Sequence, residues 1–212
     1  MNAPKGLRER KKHRQRLDLI ETAARLFRQN GYDATRMDDI AAAGEVSTKT
    51  VYNYFPTKQA LLAALLQEDR AQLLAAYEIV ISDPPEHLPE ALAALMRADI
   101  GQVLTPEDKK LWRELIAAEV RTDQTGDTQF ATNRALFLKY IEELLTVFNK
   151  KNILSRDVPI RGAAELCYSI YYLNFSLYCG NDKMNIEDFM KKLSMQTELL
   201  VQPWLNRATQ QT

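Results

Sequence analysis

Apolar residues recur along this chain at intervals of three and four, the spacing that gathers them on one face of a helix. No credible pair of strands emerges. The stretch QRLDLIETAARLFRQNGY sets Leu17, Ile20, Ala24 and Phe27 in that rhythm and closes on Gly31, where a helix-ending glycine belongs. Thr35 with Asp38 three residues on resembles a capping box and predicts a short helix over MDDIAAA, ending before Gly44. Ser47 predicts the next cap, for a second short helix that must stop near Phe55-Pro56, because proline disfavours helix in the residue before it. Thr57 caps a longer helix running to about Val80, and SDPPEHLP breaks it.

Beyond the break, helices are expected over Glu86–Leu104, Pro106–Arg121, Asp127–Lys150, Val158–Cys179 and Ile186–Arg207. Thr105 before Pro106, and Asn185 with Asp188, supply start signals. The expected fold class is all-α, a helical bundle with short loops. Within GAAELCYSIYYLNFSLYCG, Ala164, Tyr168, Tyr171, Tyr172, Phe175 and Tyr178 fall on one face, and Leu166, Ile170, Leu173 and Leu177 on the opposite one. A helix apolar on two opposed faces must be covered on both, by the bundle core and by a partner subunit. Aromatic walls with Asn174 on the seam also suit a small-molecule pocket, with Trp112, Phe137, Tyr140 and Phe148 opposite. Taken singly, each ring reads first as core. The last helix offers Ile186, Phe189, Met190, Leu193, Leu200 and Trp204 as a stripe.

Composition narrows the classes. A chain of 212 residues, 46% hydrophobic and 26% charged, can bury a sizeable core. No apolar run nears the roughly 20 residues needed to span a bilayer. The basic segment at the start has no apolar run behind it, so no signal peptide is expected. Cys167 and Cys179 lie on one expected helix about 18 Å apart, too far to bridge, which fits a reducing cytoplasm. The net charge of zero hides a polarity: residues 1–60 hold twelve Lys and Arg against seven Asp and Glu, and the remainder carries the matching acidic surplus. A basic head on an acidic body suggests a module for polyanions. His13 and His87 have no metal-ligand spacing to other residues, and no Gly-rich phosphate loop or Gly-x-Ser-x-Gly motif occurs. No catalytic residue, metal or cofactor is expected.

Two short helices about a glycine turn form a helix-turn-helix unit, whose second helix enters the major groove. In STKTVYNYFPTK, Val51 and Phe55 supply the apolar side. Thr48, Lys49, Thr50 and Asn53 project elsewhere, Tyr52 and Tyr54 reach for phosphates, and Lys58 adds a cation at the next helix start. Thr35, Arg36 and Ser47 complete the DNA-contacting set. The arm Lys5, Arg8, Arg10, Lys11, Lys12, Arg14 and Arg16 would add phosphate contacts. A helical adaptor that binds only protein would not need so many hydroxyls on one short helix.

The segment LIETAARLFRQNGYDATRMDDIAAAGEVSTKTVYNYFPTKQALLAALL closely resembles the DNA-binding domain of TetR-family transcriptional regulators, over residues 14–70. Gly31-Tyr32, Thr35, Asp39-Ile40-Ala41, Val46-Ser47, Tyr52, Phe55 and Lys58 all fall in register. Gly44-Glu45 replaces the family's common Ala-Gly, so either Glu45 goes left-handed or Gly44 takes over the turn. The resemblance implies a three-helix DNA-binding domain over 13–73, with its helix-turn-helix at 36–55, and a ligand-binding and dimerisation domain over 84–212. It implies dimerisation through the last two helices, with Leu166, Ile170, Leu173, Leu177, Phe189, Leu193, Leu200 and Trp204 as candidates. The expectation is a cytoplasmic homodimeric repressor binding a palindromic operator in duplex DNA and released by a small apolar or aromatic effector. The alternative is a similar DNA-binding protein with no small-molecule inducer. No membrane partner is expected.

Overall fold

The computed structural model describes residues 6–101, 103–122 and 129–206, and every regular element among them is helical. The order is α1 (Leu7–Asn30), α2 (Met37–Ala43), α3 (Thr48–Tyr54), α4 (Lys58–Ser82), α5 (Leu88–Ile100), α6 (Pro106–Thr122), α7 (Gln129–Lys150), α8 (Ile160–Cys179) and α9 (Ile186–Val201). One compact unit ends at Asp69 and a second begins at Arg70, so α4 contributes to both.

Caps explain most of the boundaries. Ser47 Oγ accepts the Thr50 N–H at 3.1 Å, Thr105 Oγ1 accepts that of Asp108 at 3.1 Å, and Asn185 Oδ1 that of Asp188 at 2.7 Å. The start of α2 departs from the sequence reading by one residue. Arg36 is the capping position, and its backbone N–H donates to the Asp39 carboxylate at 2.8 Å. Thr35 stands one residue outside the cap and turns inward, its buried hydroxyl donating to the Gly31 carbonyl at 2.8 Å. Helix α9 stops at Val201, earlier than expected, because Pro203 converts the next residues into a 3-10 turn. The chain then pairs back on the α7–α8 connection: Ser155 donates to the Trp204 carbonyl and Asn206 to that of Ile153, each at 2.8 Å.

The first unit packs Leu19, Ile20, Ala23 and Phe27 of α1 around Ile40, Val51, Phe55 and Leu61. Gly44 and Glu45 divide the turn between them. Glu45 takes the left-handed conformation at φ 52, whereas Gly44 supplies clearance: a Cβ there would lie 3.1 Å from the Ile40 carbonyl and 3.2 Å from Leu19. A non-glycine residue in that conformation costs on the order of 1 kcal/mol.

In the second unit α5, α7, α8 and α9 enclose one core. Helix α6 is fastened to the end of α8 by two cations. The buried Lys109 ammonium donates to the carbonyls of Asn181 at 2.8 Å and Met184 at 2.5 Å, over the Tyr178 ring at 3.9 Å. Arg113 donates to the Cys179 carbonyl at 2.6 Å and pairs with Asp182 at 2.7 Å. Cations at a helix carboxyl end meet the dipole they complement. Burial nevertheless lowers the pKa of Lys109. Cys167 and Cys179 are unbridged, as their spacing requires, and both are buried.

Candidate nucleic-acid interface

Seven residues make α3, and the fold decides which side of it is available. Val51 and Phe55 are buried, which fixes the inward side. On the outward side Lys49 and Asn53 are exposed, and Tyr52 keeps 49% of its surface open. The Arg36 side chain, 77% exposed, stands at the start of α2. These four turn donors outward: a cation, an amide, a phenol and a guanidinium that also lies 3.6 Å from Asp38, the groups that meet phosphates and base edges.

The remaining candidates are engaged within the protein. Ser47 and Thr50 share a hydroxyl–hydroxyl bond of 2.8 Å. Thr48 Oγ1 donates to Asp38 Oδ1 at 2.9 Å, so its one proton is committed. Tyr54 donates to Gln15 Oε1 at 2.9 Å and ties α3 to α1. Thr35 lies inside the α1–α2 corner, which corrects its assignment to the DNA-facing set. Lys58 also turns inward, donating to the carbonyls of Tyr32, Asp33 and Thr35 at 2.7, 3.3 and 3.1 Å. Of the basic arm, Lys5 lies outside the described residues. Arg8, Arg10, Lys11, Lys12 and Arg14 are exposed on the first turns of α1, which begins earlier than the sequence suggested. Arg16 pairs with Glu68 at 2.7 Å and lies 5.6 Å over the Phe55 ring, so it braces α1 against α4.

The second unit brings most of the aromatic candidates together. Phe137 lies 5.1 Å from Tyr171 and 6.3 Å from Tyr168, Tyr168 stacks on Tyr172 at 5.8 Å, and Trp112 meets Phe175 edge-on at 5.3 Å. Tyr140 joins through Tyr77 at 4.9 Å. Sequence reasoning missed Tyr77 and Asp99, whose polar ends meet here: the Asp99 carboxylate accepts from the Tyr77 hydroxyl and, at 2.6 Å, from that of Tyr171. Only the fold joins these helices, so no local signal announced them. Asn174 belongs elsewhere, since its amide donates to Gln196 Oε1 of α9 at 2.6 Å and to the Ile170 carbonyl. A cavity of about 570 Å³ opens between the start of α5 and the end of α9, lined by His87, Glu90, Ser194 and Glu198 among others.

The proposed subunit-contact set divides in the same way. Leu166, Leu173 and Leu177 are 52%, 60% and 51% exposed along α8. Phe189 and Leu193 lie in the chain's own core rather than on its surface, because that side of α9 faces α5 and α8. Leu200, Trp204 and Ile170 are half-buried against the same core. Met195 and Leu199 of α9 are 56% and 70% exposed.

Among the described residues no group of His, Cys, Asp and Glu is arranged to hold a metal, and no helix is long and apolar enough to cross a membrane. The geometry is that of a helix-turn-helix unit followed by a helical bundle. Residues 19–65 match the family model of bacterial regulatory proteins of the tetR family. The HTH-type transcriptional regulator TcmR of Streptomyces glaucescens is 34% identical over 102 residues, 48% of this chain and 44% of TcmR. The matched stretch thus spans less than half of that relative. UidR of Escherichia coli is 21% identical over 159 residues, 74% of this chain and 78% of UidR. A TetR-family regulator of Mesorhizobium loti superposes with a TM-score of 0.73 at 19% identity, over 92% of this chain and 98% of that one. Thermus thermophilus FadR, a TetR-family repressor in complex with lauroyl-CoA, gives 0.65 at 22% identity, over 91% and 96%. At such identities the structural likeness shows the fold. The match to the tetR family thus rests on residues 19–65, and the relatives named here are regulators rather than enzymes.

Proposed function

We propose that the protein is a homodimeric repressor that grips a palindromic operator through α3 of each subunit. The observation that carries this reading is the outward set Lys49, Tyr52 and Asn53, held in place by the buried Val51 and Phe55 behind it. Two such helices must reach successive major grooves about 34–36 Å apart, so one subunit alone lacks operator affinity. The exposed leucines of α8, with Met195 and Leu199 of α9, support pairing through these helices. The test is selection of duplex DNA from a random pool, followed by titration at several salt concentrations. An inverted repeat should emerge, with affinity falling on the order of 10³-fold or more between 50 and 200 mM salt. Recovery of no duplex, or salt-insensitive binding, would sink the proposal.

An effector pocket is supported by the aromatic cluster around Phe137 and Tyr168, and by the lauroyl-CoA held by T. thermophilus FadR on the same fold. A small apolar or aromatic ligand there would loosen DNA binding only by preferring the DNA-incompetent arrangement. The second reading, a regulator with no small-molecule inducer, is favoured by the rings filling one another's space: Tyr171 is buried and stacks on Phe175 at 5.8 Å.

A further inference from the structure

Asp38 is an unusual neighbour for a surface meant to meet phosphates. Its carboxylate lies beside the outward side of α3, exposed, with Oδ1 accepting from Thr48 at 2.9 Å and Oδ2 lying 3.6 Å from the Arg36 guanidinium. On any DNA sequence a carboxylate there opposes the backbone by a similar amount.

We propose that Asp38 and Thr48 together set the protein's base preference, as an acceptor-only pair that reads a base offering an amino group. This inference rests on the DNA-binding reading above. A hydroxyl has one proton, and that of Thr48 is held by Asp38. What Thr48 turns outward is therefore lone pairs, and the carboxylate has lone pairs left beyond those used by Thr48 and Arg36. Acceptors repel phosphate oxygens and the keto edges of guanine and thymine. They are satisfied by cytosine N4 or adenine N6, the amino groups of the major groove. Asp38 thus lowers affinity everywhere and recovers it at one kind of base, and specificity is that difference. Lys49 and Arg36 remain the donors of the surface, so the two chemistries are separated by residue.

The test uses the full chain and the operator recovered by selection, with every single-base substitution in one half-site. Wild type should show one position where an amino base on the contacted strand is preferred over a keto base by about tenfold. Asp38→Asn places an amide N–H₂ where an acceptor stood, so the preference at that position should vanish or invert while non-specific binding tightens. Thr48→Val, nearly isosteric, should lose the preference, and Thr48→Ser should keep it. Circular dichroism confirms that each variant is folded. Wild-type-like preference in both Asp38→Asn and Thr48→Val, on an operator that all bind, would overturn the inference alone. A wild-type protein that selects no DNA would overturn the larger reading, and this one with it.

Discussion

Lys58 carries three N–H donors, and three carbonyls at the α1–α2 corner stand within 3.3 Å of its nitrogen, with the Tyr32 ring 4.3 Å away. With every donor spent internally, no proton is aimed at a phosphate. Lys58→Ala should therefore destabilise the first unit by about 1–2 kcal/mol, the cost of stranding partly buried carbonyls. It should leave the salt slope of DNA binding unchanged, whereas Lys49→Ala should reduce that slope by about 0.9. Denaturant titration and polarisation binding across a salt series measure the two effects. A slope loss near one for Lys58→Ala with stability intact would show that the ammonium swings out to DNA. The residue was legible in the sequence and its direction was not. A lysine opening a helix looks equally suited to phosphate or carbonyl until the corner it reaches is folded beneath it.

At the scale of elements, α8 shows both what periodicity reveals and what it conceals. Its two apolar faces follow from 100° spacing alone, and the fold turns the ring face inward and leaves Leu166, Leu173 and Leu177 open. For α9 the same reasoning picked the wrong arc. A helix packed against two neighbours buries a wide stripe, and Phe189 and Leu193 fall inside it while Met195 and Leu199 fall outside. Asn174 was misplaced for a related reason, since its partner Gln196 comes from another helix, which no local pattern encodes. By contrast the caps at Ser47, Thr105 and Asn185 were legible because each bond is made within three residues. The two leucines now predict different failures. Leu173→Glu should leave a folded helical monomer by sedimentation, with no retardation of operator DNA. Leu193→Glu should instead cost several kcal/mol of stability, because it buries an unpaired charge in the protomer. A stable Leu173→Glu dimer would move the subunit contact off this face.

Across the whole molecule, charge and burial divide the labour. The first 60 residues carry the basic surplus, while the second unit buries protonated groups that resist ionisation. Burial raises Cys167 and Cys179 from an ordinary 9.0 to about 12, and raises Tyr171 well above the usual phenol range, with the neighbouring Asp99 adding to the effect. The sign of the resulting pH dependence is definite. Between pH 9 and 12 the unfolded thiols have lost their protons and the folded ones have kept them, so the unfolded state binds fewer protons and stability falls as pH rises. Below that window the contribution is fully present. Denaturant midpoints should accordingly stay level from pH 7 to about 8.5 and decline clearly by about pH 10.5. The double variant Cys167→Ala/Cys179→Ala should start lower, for its lost packing, and decline less steeply. In native wild type at pH 8 neither thiol should react with a disulfide reagent until denaturant is added. Rapid native labelling, or midpoints level to pH 11, would mean that water reaches this side of α8, and the packing of the second unit around it would have to be redrawn.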